Sequence, residues 1–156
     1  MCSSDLRARA AIDRCVILGR GFDYASAREW ALKLKELAQV AADPYSAADF
    51  EHGPLALVEP GYPVLAIAPT SATLDGVRAL LGRLRTDHGV DLVAVTDDPA
   101  LRSIASTTLP MPAGVAEWLT PIVSIVPAQL FAYHLTAARG MDAERPRSLS
   151  KVTLTR

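Results

Sequence analysis

Short apolar runs alternate along this chain with longer stretches of helical period. Cys15-Val-Ile-Leu18 is a compact apolar run ending in Gly19-Arg20-Gly21, the pattern of a strand that feeds a glycine turn. Behind it Ala27, Trp30, Ala31, Leu34, Leu37, Ala38 and Ala41 recur at helical spacing and predict a helix over 26–42, stopped by Pro44. Short helices are expected at 47–50 and 54–58. Val64-Leu-Ala-Ile-Ala68 reads as the second strand, and the helix after it, reaching residue 85, has Thr70 or Ser71 as its cap. Asp91-Leu-Val-Ala-Val95 is the third strand, and Thr107-Thr-Leu-Pro110 a short fourth at a sheet edge. A final helix over 121–139 closes with Gly140 at its C′ position. Residues 141–156 show no strong period.

Strands alternating with helices imply βαβ units, hence an α/β domain with a parallel sheet covered on both faces. In such open sheets ligands bind beyond the carboxyl ends of the strands, which marks 19–22, 69–73 and 96–99 as the functional edge. No linker, repeat or low-complexity segment divides the chain.

Composition narrows the function classes. Half of the 156 residues are hydrophobic and 21% are charged, with a formal net charge of −1, so no basic excess asks for nucleic acid or an anionic membrane surface. The apolar stretch 119–135 is interrupted by Pro121, Ser124, Pro127 and Gln129 and reads as a buried helix rather than a membrane span. Two cysteines, Cys2 and Cys15, form neither a disulfide framework nor a metal-type spacing, which makes a reducing cytoplasm the expected compartment. His52, His88 and His134 share no paired spacing, so no protein-built metal site is expected. Met-Cys-Ser-Ser-Asp-Leu at 1–6 has no apolar h-region and reads like a translated sequencing adapter; it is expected to be a non-native leader, with coding sequence missing upstream.

Four segments carry residues suited to chemistry. In Ala31-Leu-Lys-Leu-Lys-Glu36 the helical wheel puts Glu29, Lys33 and Glu36 on one ridge and Arg28, Lys35 and Gln39 on another. Either these are solvated rows of ion pairs, or the first ridge faces a second lobe or subunit with Glu36 as a proton-transfer base and Lys33 as its charged neighbour. In Asp49-Phe-Glu-His-Gly-Pro54, His52 stands just before a Gly-Pro break, as a plain loop histidine or as one offered to a ligand. In Arg145-Pro-Arg-Ser-Leu-Ser-Lys151, Pro146 and Leu149 brace a tail whose Lys151 is either solvated or a Schiff-base or phosphate lysine. The run Pro69-Thr-Ser-Ala-Thr73 offers hydroxyls and backbone N–H groups to a phosphate, or serves only as a helix cap. Gly19-Arg20-Gly21 lacks the third glycine of a dinucleotide fingerprint.

Gly19-Arg-Gly-Phe, Glu29 with Ala31-Leu-Lys-Leu-Lys-Glu36, His52-Gly-Pro-Leu-Ala-Leu57, Val126-Pro-Ala-Gln-Leu130 and Arg145-Pro-Arg-Ser-Leu-Ser-Lys151 follow one another in this order. Together they resemble the SIS (sugar isomerase) family, in particular the second SIS subdomain of the isomerase part of glutamine–fructose-6-phosphate aminotransferase. They look closer still to that enzyme's glutaminase-free relatives. The resemblance implies a three-layer αβα sandwich with a parallel flavodoxin-like sheet over 14–140, followed by a tail over 141–156. It implies that Glu36 shuttles a proton between C1 and C2 of a sugar phosphate, beside Lys33. His52, lent by a neighbouring subunit, would assist ring opening. Lys151 would engage the open-chain carbonyl, and Ser150 and Glu29 would line the sugar. The substrate would resemble fructose 6-phosphate or glucosamine 6-phosphate, with no metal or redox cofactor, and the chain would act as a homodimer. Ala48-Asp49 stands where the amino-transferring enzymes carry Gly-Glu, which favours isomerase or deaminase chemistry. The family's main phosphate loop belongs to a first SIS lobe that this sequence does not contain. A non-catalytic sugar-phosphate sensor is the alternative.

Overall fold

The computed structural model describes residues 8–147. Five strands, β1 (Arg14–Gly19), β2 (Ala41–Ser46), β3 (Pro63–Ile67), β4 (Asp91–Thr96) and β5 (Thr107–Pro110), form one sheet in the order β2-β1-β3-β4-β5. Every neighbouring pair is parallel, with Arg14 opposite Ala41, Val16 opposite Val64, Pro63 opposite Asp91 and Val93 opposite Thr107. This is the flavodoxin-like doubly wound order, whose switch point lies between β1 and β3.

Alternate side chains of the strands feed two separate cores, because successive residues of a strand face opposite sides of the sheet. Cys15 and Ile17 of β1 point to one side, where they meet helix α1 (Asp23–Ala38) and helix α4 (Thr120–Ala138) through Trp30, Leu34, Ala128 and Phe131. Val16 and Leu18 point to the other, against helix α2 (Leu74–His88) through Leu80, Leu81 and Leu84, and helix α3 (Pro99–Ile104) through Leu101. The result is the three-layer αβα sandwich that the resemblance implied. Gly19 is required where α1 leaves β1: a Cβ there would stand 2.6 Å from the Asp23 carbonyl oxygen.

The N-termini of α1 and α4 are tied together by a buried carboxylate. Asp23 accepts hydrogen bonds from Thr120 Oγ1 (2.7 Å) and Ser124 Oγ (3.0 Å), and Ser26 Oγ donates to the Pro121 carbonyl (3.1 Å). Further along, Trp30 and Phe131 meet edge to face with centroids 5.5 Å apart. The two helices therefore run side by side in the same direction. On the other face Asp98 caps α3 through Leu101 N and takes a forked pair of hydrogen bonds from Arg78.

Several sequence expectations need correction. The helix expected over 26–42 ends at Ala38, with Gln39 in the left-handed region (φ 54°, ψ 39°). Pro44 does not stop it; it lies inside β2, opposite Ile17, on an edge strand where a missing N–H costs little. Ala41-Ala-Asp-Pro-Tyr-Ser46 has no β-branched residue, which hid this strand. Thr70 and Ser71 do not cap α2, which starts at Leu74. Helix α3 had no periodic signature because it is a single capped turn and a half. Helix α4 runs through Pro127 and is long and apolar enough to cross a membrane by length and composition, yet its Thr120, Ser124, Ala128, Phe131 and Leu135 side pack into the core. It is buried on one face only, and His134, expected among packed side chains, is exposed.

Two carboxylates make opposite pH predictions. Arg78 holds the Asp98 carboxyl below its ordinary range, so its stabilisation is present above that range and lost as pH falls through the folded value. Asp98→Ala is expected to cost about 2 kcal/mol in urea unfolding at pH 7 and much less at pH 3. Burial pushes the Asp23 carboxyl up, against the two hydroxyls that favour its charge, so its contribution is lost as pH rises through the folded value. Asp23→Asn should therefore gain stability relative to the parent as pH rises from about 4 to 7.

Candidate functional site

The ridge Glu29, Lys33 and Glu36 continues the row that begins at Ser26, at spacings of three and four residues. Because Ser26 is bonded to Pro121, this row is the flank of α1 turned toward α4. The geometry is that of a cation between two carboxylates. Lys33 Nζ lies 2.7 Å from Glu36 Oε2 and 3.7 Å from Glu29 Oε1. All three side chains are about one-third exposed, between 29% and 37%, whereas Arg28 and Lys35 on the other ridge are open to solvent. The hydrogen bond to Glu36 raises the Lys33 pKa, with burial opposing it. Lys33 is thus a positive charge held beside Glu36 and within reach of Glu29.

Arg28, Leu32, Lys35, Phe22 and Tyr24 border an open concavity of about 790 Å³ across the outer surface of α1, reaching Pro44. Of the ridge residues only Glu29 touches it. The hollow is therefore neighbouring surface, and the Lys33–Glu36 ion pair sits beside rather than inside it.

His52 ends a short 3-10 turn, Phe50–His52, on the opposite side of the sheet. Phe50 is buried in the core beneath α2, and Glu51 pairs with Arg83 of that helix. Gly53 takes φ 148°, which lets the chain reverse into the next turn, Pro54–Leu57. His52 itself is exposed. Within one chain the sheet stands between it and Glu36, so the fold does not bring these two residues together. Ser150 and Lys151 lie outside the described residues.

The loops at the carboxyl edge do converge, but their N–H groups are occupied from within. Thr70 N donates to Asp97 Oδ1 (2.7 Å) and Ala72 N to Glu117 Oε2 (3.3 Å), while the Ser71 and Thr73 hydroxyls bond each other (3.2 Å). Two carboxylates thus stand where an external phosphate was one of the sequence readings. Thr96 Oγ1, donating to the Ala68 carbonyl, locks the ends of β3 and β4 together. Cys15 is a free buried thiol whose pKa burial pushes up to about 12, which makes it inert packing. Sequence reasoning missed Asp23, Thr120 and Ser124. The available signal was a polar notch, Thr120 and Ser124 at i, i+4, in an otherwise apolar helix.

With fold and ridge in view, the comparisons with known proteins are consistent. The SIS domain family description matches residues 10–139. The chain belongs to the SIS domain family. It is 42% identical over 134 residues to the glutamine–fructose-6-phosphate aminotransferase [isomerizing] of Pyrococcus horikoshii, a match over 86% of this chain and 22% of that protein. Its fold superposes on the C-terminal domain of glucosamine-fructose-6-phosphate aminotransferase from Francisella tularensis with a TM-score of 0.80 at 30% identity, covering 90% of this chain and 40% of that one. It also superposes on the tagatose-6-phosphate ketose/aldose isomerase of Escherichia coli with a TM-score of 0.73 at 25% identity, covering 92% and 40%. The chain spans about a fifth of the length of the curated relatives it matches.

The Lys33 pair makes a stability prediction independent of any substrate. The raised lysine pKa adds stability that is fully present below the ordinary lysine range and is lost as pH climbs through the folded value. At this exposure Lys33→Met should lower stability by about 0.5 kcal/mol at pH 7, read by thermal unfolding, with the difference closing as pH climbs through the raised lysine value.

Proposed function

We propose that this chain is the C-terminal SIS lobe of an enzyme that interconverts aldose and ketose forms of a sugar phosphate, or that deaminates or aminates one, on a fructose 6-phosphate- or glucosamine 6-phosphate-like substrate. The observation that carries the reading is the Glu36–Lys33 pair, held at 2.7 Å on the α4 flank of α1. The similarity to aminotransferase and isomerase sequences gives this pair a substrate class. In this reading Glu36 removes the proton from the carbon beside the open-chain carbonyl and the electron pair moves to the carbonyl oxygen to give an enediolate; the proton of the neighbouring hydroxyl passes to that oxygen, and the same carboxyl returns its proton to the former carbonyl carbon as the neighbouring oxygen becomes the new carbonyl. Lys33 offsets the charge that builds on oxygen, and Glu29 orients Lys33. His52 of a neighbouring subunit opens the sugar ring, and Ser150 and Lys151 meet the open-chain substrate. A cytoplasmic homodimer completed by an upstream SIS lobe is the assembly this chemistry asks for.

One observation favours a second reading. A single chain keeps Glu36 and His52 on opposite sides of its sheet, so alone it offers binding surface without a closed site; a non-catalytic sugar-phosphate sensor fits that state.

The isolated chain is expected to show no measurable isomerisation of fructose 6-phosphate or glucosamine 6-phosphate. Fusion to an upstream SIS lobe should restore turnover, and Glu36→Gln in the fused protein should lower kcat by about 10²–10⁴-fold. Unchanged turnover in the Gln variant would remove Glu36 from the mechanism. Binding without turnover in the fused parent would favour the sensor.

A further inference from the structure

The open hollow on the β2 side of α1 has a composition of its own. Phe22 and Leu32, 56% and 44% exposed, line it together with Pro44 of the edge strand. Arg28 and Lys35 line it too, and both are exposed. Among the described residues neither cation has an ion-pair partner. The carboxylate that borders the hollow, Glu29, is compensated by Lys33 at 3.7 Å. The lining is therefore apolar and, on balance, positive. From Phe22 to Lys35 it follows the helix for about 20 Å.

We infer that this hollow is a docking trough, and that its occupant is an acidic amphipathic helix of a separate protein. Three features select that occupant. Its length is that of three to four helical turns, whereas a small molecule is held by a pocket that closes over most of its surface. Arg28, Leu32 and Lys35 stand at i, i+4 and i+7 on one ridge. A partner helix with an apolar anchor between carboxylates two turns apart meets all three at once, and charge draws it in. Pro44, without an N–H, blunts the β2 edge against an added strand, so side chains rather than sheet hydrogen bonds must do the binding. The trough also lies on the side of α1 away from α4, whereas the Glu29–Lys33–Glu36 row turns toward α4. The surface asked of an upstream lobe by the proposed chemistry is thus a different one, and the inference stands apart from that chemistry.

The test is fluorescence anisotropy of a labelled peptide of about 18 residues, with a Leu/Phe stripe flanked by Glu at i and i+7, titrated with the 156-residue chain. A Kd of about 10–100 μM is expected. Leu32→Gln, and Arg28→Glu combined with Lys35→Glu, should each weaken binding at least ~10-fold without changing thermal unfolding, because these side chains are exposed. Val126→Lys, on the exposed apolar face of α4, should leave binding unchanged. No binding up to about 1 mM overturns the inference, as does equal binding of the same peptide with Lys in place of Glu. Binding that survives the trough substitutions, or that is lost in folded Val126→Lys, overturns it too. So does loss of the site when an upstream SIS lobe is fused, because that lobe is then the occupant.

Discussion

The arrangement of this molecule depends on how α1 is held against α4. A carboxylate, Asp23, is buried at the point where both helices begin, and two hydroxyls from α4 satisfy it. Burying a charge without partners costs several kcal/mol, so the positions of Thr120 and Ser124 are not free to vary. The clamp fixes the register of the two helices, and Trp30 against Phe131 fixes their separation. From that follow two features of the surface. One flank of α1, carrying Glu29, Lys33 and Glu36, turns toward α4 and becomes partly desolvated. The outer face of α4, apolar and uncharged, is left open.

The direction of α1 places Lys33 and Glu36 away from the sheet's carboxyl edge. In a βαβ unit the helix returns antiparallel to its strand, so Glu36 in the last turn of α1 is carried back toward the opposite edge. The loops at the carboxyl edge are instead closed on themselves by Asp97, Glu117 and Thr96. The Glu29–Lys33–Glu36 row is therefore an open helix flank on a chain that spans about 40% of the two solved relatives compared above.

Much of this was legible in the residues. Short apolar runs located β1, β3 and β4, because a strand buried on both faces has no polar alternation to confuse. The spacing of Glu29, Lys33 and Glu36 gave the ridge before any coordinates did. What escaped were features set by tertiary context. Pro44 reads locally as a helix stop, but an edge strand tolerates it. Thr70 and Ser71 read locally as caps, but Asp97 and Glu117, distant in sequence, take the N–H groups. Asp23 was invisible as a clamp because its partners lie about a hundred residues away. The separation of His52 from Glu36 depends on which side of the sheet each turn packs, which no local pattern encodes.

A site of the proposed kind, needing both residues, would have to draw them from two subunits, because one chain keeps them on opposite sides of its sheet. Subunit complementation tests it directly. In the protein fused to an upstream lobe, Glu36→Gln and His52→Ala are each made inactive, then mixed and allowed to exchange subunits. Each mixed dimer would hold one intact site, so the mixture should regain about a quarter of the parent activity. A mixture as inactive as its two components, after exchange is verified, would contradict a site shared between subunits.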